Sequence, residues 1–268
     1  MNRLIDSCKA EWLKVFTTRT WWILTLVMAL YVGFTSAVIS GFMGSFGTSD
    51  MDFDGINVAR MVYALGPTLG YIFPVLLGAL SVTVEYRHGT LAPTFVWAAG
   101  RGRVLGAKVL VQFVMGFIYG MISSAAAVIA SVFFFLGAGV NTTLGDGETW
   151  LQFLRTAADM GIWAVLGVGV GILVKNQAAA IVIVIVFTQF VESMARLAAA
   201  ISEKAARVVG FLPGAASDAF TGNSFYSAMT AGVGYDQLSW WGGALVLLGY
   251  ASVALILGAT TRWRADVG

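Results

Sequence analysis

Six apolar runs of about 20 residues, separated by short polar connections, constrain this chain more than any other feature. They read as spans at about 21–42, 61–84, 109–136, 156–174, 178–198 and 240–261. A run of that length, wound as a helix, matches a hydrocarbon core about 30 Å thick. Of the 268 residues, 58% are hydrophobic and only 11% charged, whereas a soluble domain has roughly a quarter of its residues charged. Too little polar surface remains to cover a globule in water. The expected fold is therefore an all-α integral membrane protein, with residues 1–268 forming one transmembrane domain.

The segments between the runs give an orientation. Eleven of the sixteen Lys and Arg residues fall in the N-terminal arm, the connections after spans two and four, and the C-terminal end; five fall on the other side. Basic residues flanking spans mark the cytoplasmic side, so both termini are expected inside. Residues 1–20 place Leu4, Ile5, Cys8, Trp12, Val15 and Phe16 at helical spacing, with Arg3, Asp6, Lys9 and Lys14 on other faces. That pattern suits an amphipathic helix lying in the membrane interface. The run from Trp21 to Phe42 that follows is too long for a signal-peptide core of about 7–15 residues. The single cysteine, Cys8, excludes an internal disulfide. Asp50, Asp52 and Asp54 alternate in an outer loop but lack the ligating Glu of a calcium loop, so an acidic external loop is expected and no metal site. Pro67 and Pro74 should bend span two without ending it. Gly66/Gly70, Gly116/Gly120 and Gly167/Gly171 each form a G-x-x-x-G suited to close helix contact, and the cluster Gly167, Gly169, Gly171 is the strongest of them.

The connection after span two is unusual. From Glu85 to Lys108 it carries Arg87, Arg101, Arg103 and Lys108, and Leu91, Phe95 and Ala98 or Ala99 lie at helical spacing. Pro93 suits the first turn of a short helix and Gly100 its end. A helix that merely braces the loop would show the same stripe. Glu85, Gly89 and Thr90, then Arg101 and Lys108, resemble the E-x-x-x-G-T…R…K signature of the permease subunits of ABC-2-type ABC transporters. Where that family often has Pro before the Arg, this chain has Ala99-Gly100.

The resemblance implies that this stretch is a cytoplasmic coupling helix docking onto a separate nucleotide-binding subunit, with the matching Glu85, Gly89, Thr90 and Arg101 in that unit. Phe95 and Trp97 are the aromatic side chains expected to enter a groove on the partner, since buried aromatics dominate interface energies. It also implies short external or re-entrant helices between spans five and six, a bacterial plasma membrane, two ATPase copies and a second permease chain, with a homodimer as first choice. The chain itself contains no G-x-x-x-x-G-K-[ST], so ATP and magnesium are expected on the partner alone. His88 stands without a second His or Cys, and no catalytic constellation is visible.

Polar groups within spans are expensive and mark candidate pathways, here Gln189, Glu192 and Asp159. Arg155/Asp159 and Glu192/Arg196 are also spaced for simple i,i+4 pairing. Sparse charge in the spans favours an amphipathic or hydrophobic cargo, such as a drug, peptide or lipid-like molecule. The resulting expectation is an ATP-driven exporter permease that touches membrane lipid and no nucleic acid. The alternative is a secondary transporter driven by an ion gradient. Such folds usually carry internal repeats, and this sequence shows no convincing one.

Overall fold

The computed structural model describes residues 2–45, 58–97, 100–199, 207–222 and 238–263. The acidic loop around Asp50, Asp52 and Asp54, together with Ala98, Ala99, Arg264 and the polar segment 223–237, lies outside the described residues. All regular structure among the described residues is helical. Six helical stretches are long and apolar enough to cross a membrane: Thr20–Met43, Val58–His88, Arg101–Ala138, Gly147–Val174, Gln177–Ala198 and Trp240–Thr261.

Ahead of the first span lies α1 (Asn2–Thr17), and α2 (Thr20–Ser45) follows after a two-residue bend. Span two comprises α3 (Val58–Tyr63), α4 (Leu65–Gly70) and α5 (Ile72–His88). Its two joints reflect the prolines: Pro67 and Pro74 sit in the first turns of α4 and α5, where a missing N–H costs least. Backbone bonds such as Thr68 N to Ala64 O at 3.1 Å and Tyr71 N to Pro67 O at 3.3 Å carry the ladder across both joints. The span is bent but continuous.

The short α6 (Leu91–Trp97) is followed by α7 (Arg101–Ala138), whose 38 residues start well before the expected residue 109. At 1.5 Å per residue α7 is about 57 Å long, nearly twice the hydrocarbon thickness. Arg101, Arg103 and Lys108 are good helix formers, while Val104, Ala107 and Lys108 supply a buried face, so the last third of the expected loop is already α7. Next come α8 (Gly147–Val174), α9 (Gln177–Ile185), a π-helical turn over Val186–Val191, and α10 (Glu192–Ala199). The described part ends with α11 (Pro213–Thr221), α12 (Trp240–Gly258) and a second π-helical turn, Ala259–Trp263.

Spans two and four form the centre. In their most apolar windows 72% and 67% of residues are buried, against 22–28% in the other four. Glycine explains how α8 reaches so many neighbours. A Cβ on Gly171 would lie 2.6 Å from Ala79 O of α5, and one on Gly120 of α7 would lie 2.5 Å from Ala157 Cα of α8. Gly169 turns the other way and meets Ala254 of α12. The expected small-residue cluster thus serves two partners, one on each side of α8, and lets backbones approach at van der Waals range.

Candidate functional site: two ion clusters at opposite ends of the bundle

The loop of the E-x-x-x-G-T signature is built from its turn outward. Helix α5 ends at Gly89, whose φ of 65° is left-handed, and Thr90 N donates back to Glu85 O at 3.1 Å. Glycine takes this C-terminal position because it has no Cβ to clash there. Leu91 is then fully buried with Val82, Val104, Val168, Ile172 and Trp263, which pins α6 to the bundle. Phe95 is half-buried: its ring packs edge-on against Trp263 at 5.0 Å, and the Arg101 guanidinium lies 5.4 Å from its centroid. Trp263 Nε1 in turn donates to Arg101 O at 2.9 Å. Thr90 and Pro93 are exposed, and the side chain of Trp97 lies outside the described residues. Gly100, with φ of 151°, makes the entry into α7.

Two signature residues, Glu85 and Lys108, meet in a buried cluster with α1. Lys108, only 1% exposed, donates to Glu11 Oε2 at 2.6 Å, Glu85 Oε1 at 3.1 Å and the Ser81 carbonyl at 3.0 Å. Lys14 donates to Glu11 Oε1 at 2.6 Å and Glu85 Oε1 at 2.8 Å. Two lysines and two glutamates from three helices therefore share their charges. Burial pushes the Glu11 carboxyl up, but Lys108 and Lys14 outweigh it and hold the carboxyl below its ordinary range. Burial likewise pushes Lys14 down, and Glu85 and Glu11 overcome it and raise the ammonium. Glu11 was missed by sequence reasoning. Its signal lay in the 4-8-11-15 spacing, which puts an acid on the same stripe as Leu4, Cys8 and Val15.

About 25 Å along span two, from Glu85 back to Thr68, lies a second cluster. Here Glu192 of α10 accepts from Arg196 Nη2 at 3.1 Å, the i,i+4 pair expected from spacing. Arg196 also binds Asp218 of α11, which accepts from Thr68 Oγ1 at 3.2 Å. The Tyr71 hydroxyl reaches Thr188 O at 3.2 Å and Glu192 at 3.4 Å. Gly214 makes room for this: a Cβ there would collide with the Glu192 carboxylate.

The other expected pair is replaced. Asp159 is fully buried and accepts from Ser217 Oγ at 2.7 Å, while its Oδ1 has no hydrogen-bond partner. The Arg155 guanidinium lies instead 5.0 Å from the Trp240 ring centroid, a cation–π seat that keeps it less desolvated than a sealed ion pair would.

Of the three candidate pathway residues, Glu192 and Asp159 converge on α11 through Asp218 and Ser217. Gln189 does not join them. It lies in the π-helical turn on an exposed face beside Phe190. No group of His, Cys, Asp and Glu able to hold a metal occurs among the described residues.

A family model described as "ABC-2 family transporter protein" matches residues 7–191, more than half of the chain. The match begins inside α1 and includes Glu11, Lys14, Glu85 and Lys108, and it stops one residue before Glu192. No curated protein matches the chain. With six apolar helices, the bent span two and span four at their centre, and the signature residues gathered at one end, the chain belongs to the ABC-2 transporter family, as a multi-pass membrane subunit of an ABC transporter.

Proposed function

We propose that this chain is the permease of an ATP-driven exporter in a bacterial plasma membrane, with both termini in the cytoplasm and residues 1–268 acting as one domain. In this reading α1 lies in the cytoplasmic interface and α6 is the coupling helix. Two permease chains, as a homodimer, bind two ATPase subunits that hold ATP and magnesium. Their cargo is an amphipathic or hydrophobic drug, peptide or lipid-like molecule, passing near Glu192, Asp159 and Gln189.

The observation that carries this reading is the buried cluster of Glu11, Lys14, Glu85 and Lys108. It joins the two flanks of the loop, α5 and α7, to the amphipathic helix. A push on α6 is then delivered to spans two and three together instead of bending a slack connection. Leu91 and Phe95 support α6 from the bundle side, while Thr90 and Pro93 present its outer surface.

The test compares Phe95→Ala and Trp97→Ala with the parent chain, in membranes containing its copurifying ATPase. The expected result is normal membrane levels with ATPase retention and export lost. Normal export by both variants would overturn the coupling role. Transport persisting after the ATPase is removed would instead favour the gradient-driven alternative.

A further inference from the structure

Between α1 and α7 runs an open groove of about 730 Å³. Its walls are Ile5, Cys8 and Trp12 on one side and Leu110 and Val114 on the other, and Lys9 also lines it. Ile5, Trp12, Leu110 and Val114 remain 38–52% exposed, so the two helices touch without filling the space between them. Val114 lies six residues past Lys108, so the groove reaches about 9 Å beyond the level of the ion cluster, toward the apolar middle of α7. From Trp12 in the wall, the rings of Phe16 and Trp21 follow at 4.8 Å centroid spacings, tilted by 35° and 51°, an aromatic series of the kind enriched at headgroup level. Lys9 is exposed, and among the described residues no carboxylate pairs with it.

We propose that this groove is a binding site for one anionic phospholipid of the leaflet that holds α1. One acyl chain lies between α1 and α7, and the Lys9 ammonium binds the headgroup phosphate. Two features select this occupant. The walls are apolar along their length, and the one charged residue among the described lining residues is Lys9. It is an exposed lysine of the kind that lays its stem on an apolar wall and keeps its ammonium at the surface, where anionic lipid concentrates. A water-soluble anion has no use for the apolar walls, and a zwitterionic lipid offers Lys9 a phosphate whose charge its own headgroup cation already offsets, so an anionic lipid binds there more strongly.

The site has a consequence for the cluster. Glu11 and Lys14 are carried by the same helix, so a chain seated in the groove sets the distance at which α1 meets Lys108. The lipid becomes a structural part of the coupling unit. This rests on placing α1 in the interface, as proposed above, but its test needs neither ATPase nor transport, so its failure would leave the permease reading standing.

Cys8 is the only cysteine in the chain and lines the groove, so it reports on occupancy without any engineered label. The purified chain is placed in phosphatidylcholine vesicles with increasing phosphatidylglycerol, and alkylation of Cys8 by N-ethylmaleimide is followed by intact mass. Phosphatidylglycerol is expected to slow alkylation several-fold. Lys9→Gln is expected to remove that slowing, and Leu110→Trp, which fills the groove, to slow alkylation already in pure phosphatidylcholine. An unchanged rate in phosphatidylglycerol overturns the proposal. So does equal slowing in Lys9→Gln, which would reflect surface potential alone. Equal protection by glycerol phosphate in pure phosphatidylcholine overturns it too, because a headgroup without chains would then suffice.

Discussion

The two ion clusters place charge in the bundle in different ways. At the α1 end, both carboxylates are shared by two lysines, and one of those lysines, Lys14, keeps 40% of its side chain exposed. At the α11 end, Glu192 and Asp218 share Arg196, but Asp159 faces only a hydroxyl. The first arrangement depends on charge: remove one member and an ion is stranded in a dry site. In the second, Asp159 depends on shape and hydrogen bonding. The difference also follows the family match, which covers the first cluster and stops short of Glu192, Arg196 and Asp218. The lysine-rich cluster thus sits in the part of the chain shared with other ABC-2 permeases, and most of the α11 cluster lies outside it.

Replacing Lys108 breaks the first cluster most directly. Lys108→Met leaves Glu11 and Glu85 with Lys14 alone, and stranding a buried charge costs about 3–5 kcal/mol. A large fall in the unfolding midpoint of the detergent-solubilised chain is expected, partly recovered in the double variant Glu11→Gln/Lys108→Met. A shift of under about 1 kcal/mol would place the cluster in the class of weak surface pairs.

Gly214→Val strikes the second cluster through space. A side chain there enters the Glu192 carboxylate, and overpacking of this kind costs about 1–3 kcal/mol. Thermal unfolding measures it, and no loss would mean that α11 can move away freely.

Asp159→Asn sharpens the contrast, because Ser217 Oγ can donate to the amide oxygen as it does to the carboxylate. Its expected cost is under about 1 kcal/mol, far below the loss for Lys108→Met. A cost as large as that of Lys108→Met would show that the Asp159 charge has a partner as strong as a lysine.

The smallest effect is on pH dependence. Glu11 is held below its ordinary 4.5, so its contribution is present above that value and lost as the pH falls through its depressed pKa. Lys14 is raised above 10.5, so its contribution is present below that value and lost as the pH climbs through its raised pKa. Stability from these two groups is therefore flat from about pH 5 to 10 and declines outside that window. Unfolding midpoints at pH 7 and pH 4 check the acid side, and Glu11→Gln should flatten part of the difference.

The parts legible in the sequence were those with local periodicity. The apolar runs located all six spans, the i,i+4 spacing found Glu192–Arg196, and Gly167, Gly169 and Gly171 marked a helix with close neighbours. Contacts that required the fold were not legible. Lys108 meets Glu11 across 97 residues, and Asp159 meets Ser217 across 58, and no periodicity links either pair. The Arg155/Asp159 expectation failed for the same reason: an i,i+4 rule assumes a solvated helix face, and this face is covered by α11. Helix α7 began early because charged residues end an apolar run without ending a helix.

That early start has a mechanical consequence. Helix α7 runs unbroken from Arg101, beside the ring of Phe95, to Ala138 at the far side of the membrane. Span two is jointed at its prolines, and span five holds a π-turn, so both can absorb a displacement part-way along. A rod without such joints transmits it: a tilt of about 5° around its midpoint moves each end of a 57 Å helix by about 2.5 Å. In the coupling role proposed above, α7 would serve as a stiff pushrod, with the jointed spans two and five as its compliant neighbours.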